Sequence, residues 1–176
     1  MSGTRDKARK ILDAALPVGP PPKIITSDGV TAAKYIEMTG LSHKNLTDNW
    51  AKGGIMTGCN GFTGWYGRQM DFPVYLGGFD LKGIVTKAGK LEAWIQSTQD
   101  NWPNYGDILR HTSFHVDVCA GWAEDNDDIL LRAAGGQGGK SVGRDIIKRV
   151  RGSGAYDPKR LMGWIDIDVF FGDTSC

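Results

Sequence analysis

One thiol and one imidazole are the groups in this 176-residue chain whose settings favour nucleophilic chemistry. The stretch Thr57-Gly58-Cys59-Asn60-Gly61-Phe62 sets a cysteine after a glycine-bearing loop, at the start of a segment with helical character. Unpaired backbone N–H groups and the positive end of a helix dipole favour the ionised thiol at such a position. A nucleophilic thiol also needs a base, and the chain has three histidines, His43, His111 and His115. His43 lies in a polar loop and reads as solvated. His115 falls in the run Phe114-His115-Val116-Asp117-Val118-Cys119-Ala120. Its period of two puts His115, Asp117 and Cys119 on one face and Val116, Val118 and Ala120 on the other. His111, four residues upstream, competes for the inward position.

These groups need a helix for the cysteine and a sheet for the histidine. Cys59 to about Met70 reads as the helix. Gly61, Gly64 and Gly67 lower its propensity by roughly 1 kcal/mol each against alanine, so packing must hold it, with the glycines pressed against a sheet. The apolar face of the 114–120 strand needs covering, and this helix is the expected cover. Asp107–Arg110 is predicted to begin a strand. Glu124–Asp128 reads as an acidic turn and Ile129–Ala134 as the returning strand. Asp145–Arg151 fits either period, and Trp164–Phe171 is predicted to close the sheet. Elsewhere, helices are predicted over Thr4–Leu16, from Ser27 or Asp28 to Gly40, over Asp80–Ala88 and over Lys90–Ser97, with a proline-rich spacer at Pro17–Pro22. Residues 1–24 are therefore read as an N-terminal helix and spacer, and 25–176 as the catalytic domain.

Composition narrows the function classes. A chain that is 40% hydrophobic and this long can bury one core. Its net charge is +1, with both signs scattered, so no basic stripe points to nucleic acid. Three cysteines, Cys59, Cys119 and Cys176, fit neither a disulfide framework nor a zinc spacing. Cys119 reads as a small buried hydrophobe. No stretch is long and apolar enough to span a bilayer, and the first residues lack a secretory apolar core. The expectation is synthesis in the cytoplasm without a signal peptide, then export by a non-classical route to act on the cell wall or in a target cell.

Cys59-Asn60-Gly61-Phe62 resembles the Cys-Ser-Gly-Phe signature of NlpC-type and CHAP-type papain-like amidases. Three further matches follow the family's order. Gly53-Gly54 precedes the cysteine, Tyr105-Gly106-Asp107-Ile108-Leu109 resembles a Pro-Gly-Asp-Leu turn, and Phe114-His115-Val116-Asp117-Val118 resembles the His-Val-Gly-Ile strand. The resemblance covers roughly 49–139. It implies an α+β papain-like fold, in which a central helix carrying the cysteine packs on an antiparallel sheet carrying the histidine. It also implies Cys59 as nucleophile, His115 as base and a third polar residue that orients the imidazole. Gln137 is favoured for that third role, with Asp117, Asp128 and the late acids Asp166 and Asp168 behind it. The Cys59 backbone N–H and Asn49 would serve the oxyanion. Trp50 stands where the family often has a tyrosine, and Asp117 replaces the glycine of the histidine strand.

The implied activity is hydrolysis of amide bonds in bacterial peptidoglycan stem peptides, with no cofactor and no metal. The chain would then be a delivered antibacterial toxin or lytic effector, with an immunity protein or a secretion-system component as partner and neither nucleic acid nor membrane as a target. The alternative is a papain-like deamidase or protease acting on a target-cell protein. A third reading, a nucleotide-binding or non-catalytic interaction domain, rests on Ala134-Gly135-Gly136-Gln137-Gly138-Gly139-Lys140-Ser141, a relaxed phosphate-loop pattern. Too few residues follow Ser141 to build the parallel sheet that such a loop serves.

Overall fold

The computed structural model describes residues 3–15, 58–74, 76, 80–98, 100–112, 115–122, 129–137, 141–148 and 161–172. The helix expected to end at Gly40 and the Pro17–Pro22 spacer lie outside them. The helices are α1 (Gly3–Ala15), α2 (Gly58–Gln69), α3 (Leu81–Lys87) and α4 (Ile167–Phe171). The strands are β1 (Trp94–Gln96), β2 (Ile108–His111), β3 (Val116–Trp122), β4 (Ile129–Gln137), β5 (Ser141–Lys148) and β6 (Leu161–Ile165). They form one sheet in the order β1-β6-β2-β3-β4-β5, and every pairing is antiparallel. The chain is therefore α+β.

Helix α2 lies over β3 and β4. Phe62, Tyr66 and Met70, spaced four apart on one face, are fully or almost fully buried. They share a core with Ile108, Val116, Val118 and Ala133 from the sheet. Gly67 plays a different part from the one expected. A Cβ on Gly67 would sit 3.2 Å from Leu76 Cδ1, so this glycine admits the segment that follows the helix, while the aromatic row meets the sheet. The opposite face of the sheet carries a second cluster of Leu109, Cys119, Leu130, Leu161 and Trp164.

Two elements differ from the sequence expectation. Lys90–Ser97 is a short 3-10 turn over Leu91–Ala93 followed by strand β1. Trp94 and Ile95 pair with Ile165 and Trp164, and sheet pairing overrides the helical spacing of so short a segment. The predicted strand Trp164–Phe171 stops at Ile165. There the Asp166 carboxylate accepts from the backbone N–H groups of Asp168 (2.9 Å) and Val169 (3.2 Å). That N-cap starts α4, and Gly172 ends it in the left-handed conformation (φ 71°). Asp145–Arg151, which fitted either period, is extended as far as Lys148 through its pairing with β4.

Helix α1 belongs to the principal core through Ala8 and Leu12, both fully buried. Its Arg5 reaches three carboxylates: Asp107 Oδ1 (2.5 Å), Asp168 Oδ2 (2.7 Å) and Asp166 Oδ1 (3.0 Å). The two sides of this cluster respond differently. Burial depresses Arg5, yet Asp107 and Asp168 outweigh it and raise the guanidinium above its ordinary value. Burial, helped by Asp166, pushes Asp107 up to about 7 against the pull of Arg5. Arg5→Met is expected to destabilise the protein by roughly 2–4 kcal/mol in urea unfolding, because it strands a buried carboxylate without its cation.

Candidate active site

Cys59 is the second residue of α2 and is 8% exposed. The Thr63 hydroxyl lies 3.2 Å from the Cys59 carbonyl and 3.2 Å from that of Leu76, which ties the first turn to the segment beyond the helix. Arg110 approaches from β2. It lies on the same face as Ile108 and opposite Val116 in the register, and its Nη1 donates to the His111 carbonyl. Burial lowers the Arg110 guanidinium, while the charges of Cys59 and Asp80 pull it back up.

His115 sits just before β3, where the chain turns back from β2. The His111 N–H donates to its carbonyl at 2.9 Å. Being outside the regular strand, it escapes the alternation and reaches the cysteine on the α2 side as well as Asp117. Burial pushes the imidazole down, but the neighbouring Asp117 carboxylate and the Cys59 thiol outweigh it and raise the pKa to about 9. His115 is therefore an imidazolium at neutral pH. Its Nε2 lies 3.3 Å from Asp117 Oδ2, an ion-pair contact whose alignment falls short of a hydrogen bond. Contacts of this kind are often long before substrate binds.

Asp117 is fully buried and meets three cationic or donor groups. They are His111 Nε2 at 2.9 Å, Arg132 Nη1 at 2.9 Å and His115. Burial alone would raise this carboxyl, but His111, His115 and Arg132 hold it well below the ordinary carboxylate range. The register explains the convergence. Leu109 on β2 faces Asp117, His111 is two residues further along the same side, and Arg132 on β4 faces Cys119, which shares the Asp117 side of β3.

The structure thus brings Cys59, His115 and Asp117 together, and adds His111 and Arg132. In the sequence, His111 stands only as a rival to His115. Arg132 carried no signal, because its position depends on the β3–β4 register. Cys119 is a fully buried thiol that burial, first of all, pushes above the ordinary range, in line with a packing role. Asp166 and Asp168 both engage Arg5, and Asp166 also caps α4, so neither is the third member of this group. Gln137 ends β4 with its backbone opposite Ser141, and its side chain lies outside the described residues, as do Asn49, Trp50 and Asp128. The Ala134–Ser141 pattern spans the end of β4 and the start of the antiparallel β5. A strand follows it where a phosphate loop would open a helix. Among the described residues, no group of three or more His, Cys, Asp or Glu side chains is placed to hold a metal ion, and no helix is long and apolar enough to cross a membrane.

These charges predict how stability depends on pH. His115 titrates above its ordinary value of 6.5. Its contribution is complete below pH 6.5 and is lost as pH rises through about 9. Asp117 titrates below its ordinary value, so its contribution is present above the ordinary carboxylate range and is lost only in strong acid. Urea midpoints measured from pH 6 to 10 are expected to fall across that window by an amount equivalent to roughly 2–3 kcal/mol.

Comparison with known proteins adds little to this geometry. No family model matches the chain, and no curated protein matches it. Among solved structures, the crystal structure of Ly7917 is similar with a TM-score of 0.39 and 15% identity, over 92% of this chain and 61% of that one. The chain thus spans about three-fifths of that protein's length, and so distant a likeness carries no argument about activity.

Proposed function

We propose that this protein is a papain-like cysteine hydrolase that cleaves amide bonds in peptidoglycan stem peptides. The observation that carries the reading is Cys59 at the start of α2 within reach of the His115 imidazolium, which is itself backed by the buried Asp117. A thiolate beside an imidazolium is the resting form suited to acyl transfer. With Nε2 turned toward Asp117, Nδ1 is the ring nitrogen left to exchange a proton with the thiol.

The Cys59 sulfur attacks the amide carbonyl, forming a C–S bond as the carbonyl π electrons move to oxygen. The oxyanion collapses, the C–N bond breaks, and His115 gives its proton to the leaving amine. The neutral imidazole then takes a proton from water, whose oxygen displaces the thiolate and releases the acid. The Cys59 backbone N–H, at the helix start, would receive the oxyanion. The peptidoglycan assignment is supported by the four ordered motifs between Gly53 and Val118.

The test is digestion of purified peptidoglycan, with fragments read by mass spectrometry. New amide cleavage that vanishes in Cys59→Ala supports the proposal. Intact peptidoglycan together with a one-dalton gain on a protein substrate would transfer the same dyad to deamidation. Cleavage that persists in Cys59→Ala would overturn the assignment of the nucleophile.

A further inference from the structure

We infer that His111 and Arg132 are opposed positioning residues, His111 fixing the Asp117 carboxylate so that one oxygen faces His115 and Arg132 drawing that same oxygen away. The inference rests on the reading of Cys59 and His115 as a reactive pair.

Asp117 has two oxygens and three claimants. Oδ1 takes His111 Nε2 at 2.9 Å. Oδ2 takes Arg132 Nη1 at 2.9 Å and stands 3.3 Å from His115 Nε2. An ionised carboxylate only accepts hydrogen bonds, so His111 donates from Nε2. The backbone fixes its place. The β2–β6 register shifts between Arg110 and His111, and the His111 N–H bonds the His115 carbonyl. The two imidazoles are held with ring centroids 5.6 Å apart at 41°.

The contest follows from guanidinium geometry. An arginine given both oxygens of a carboxylate tends to grip them as a fork. His111 holds Oδ1, so the Asp117 carboxylate cannot turn fully toward Arg132, and Oδ2 stays within range of His115. The His115 contact is the longest of the three because Arg132 shares its oxygen. The charged and titratable groups that meet here are His111 from β2, Asp117 from β3, His115 from the turn between them, Arg132 from β4 and Cys59 from α2, with Arg110 on the α2 side of β2. The two flanking residues should therefore move the His115 proton in opposite directions.

The experiment is an NMR titration of the His115 ring in the full chain, paired with the pH dependence of Cys59 alkylation by iodoacetamide. The wild-type midpoint is expected near 9. His111→Ala, which frees the carboxylate to swing to Arg132, is expected to lower it by a pH unit or more. His111→Gln, whose amide N–H can replace the Nε2–H, is expected to restore most of the shift and keeps the test open should the alanine variant fail to fold. Arg132→Met is expected to raise the midpoint by half a unit or more. Shifts of the same sign in the His111 and Arg132 variants, or a midpoint unmoved in both, would overturn the inference. The alkylation arm separates this from the underlying reading. A wild-type Cys59 no more reactive at pH 6 than an ordinary thiol would remove the reactive pair, and the inference with it. A reactive Cys59 with an unmoved His115 midpoint would remove the inference alone.

Discussion

In the proposed hydrolase, Asp117→Asn is expected to lower turnover on the order of 10⁴-fold while leaving a folded protein. Asparagine keeps the shape but presents an amide where His111 and Arg132 now meet an anion, and it withdraws the charge that holds the His115 imidazolium. Replacing the carboxylate behind a catalytic histidine with its amide has an effect of about this size in triad enzymes generally. The pH profile gives a sharper readout. The alkaline limit set by His115, near 9 in the intact site, should fall toward the ordinary imidazole value of 6.5. Asp117→Ala should be worse for the fold. It leaves Arg132 and two histidines beside a hole where the carboxylate stood, and breaking a buried charge pair from one side costs roughly 3–5 kcal/mol. A rate loss without any movement of the alkaline limit would mean that Asp117 is structural and does not orient the base.

Gly106→Val is expected to prevent stable folding. Gly106 has φ +91°, a conformation that β-branched side chains avoid. A Cβ there would lie 2.7 Å from the Ala8 Cβ, 2.7 Å from Ile167 Cδ1 and 3.0 Å from the Tyr66 hydroxyl. None of these can retreat cheaply. Ala8 is held by α1, Ile167 by α4, and Tyr66 donates to the Gly106 carbonyl at 2.9 Å. Backbone strain and overpacking together amount to on the order of 5 kcal/mol, comparable with the whole stability of many domains. Circular dichroism and urea unfolding would show it. A Gly106→Val protein with a native midpoint would mean that α1 does not pack here.

The contrast between Gly106 and the catalytic candidates shows what the sequence makes legible. Cys59 announces itself by its place after a glycine-bearing loop, and His115 and Asp117 by the period-two run through Ala120. These are local signals, and the structure sets His115 where it meets both Cys59 and Asp117. Arg132 is illegible because a strand's cross-partners depend on register, and register is a tertiary property. Lys90–Ser97 misleads for a related reason, since its conformation is imposed by β6. The end of β6 does carry a local signal. Asp166 and Gly172 are ordinary start and stop signals for a helix, overshadowed by the alternation of Trp164, Ile165 and Ile167. Gly106 lies in a turn whose glycine was noted only as part of a motif, while its packing reason resides in Ala8 and Ile167, elements nearly a hundred residues before it and sixty after.

The strand order carries a consequence for how the molecule is made. β6 lies between β1 and β2 in the sheet, although it is the last of the described strands to leave the ribosome. Until residues 161–165 emerge, β1 and β2 have no neighbour to join them, and Arg5 waits for carboxylates on a segment that appears 163 positions later. Such distant pairings delay folding, since the entropy of closing the loop is lost before any contact compensates for it. The nascent chain can therefore form the β2–β3 hairpin early, but β1 and β2 are joined only once β6 has emerged. Translation arrested before Leu161 should yield a chain open to protease between Trp94 and Ile108, whereas a chain that includes β6 and α4 resists there.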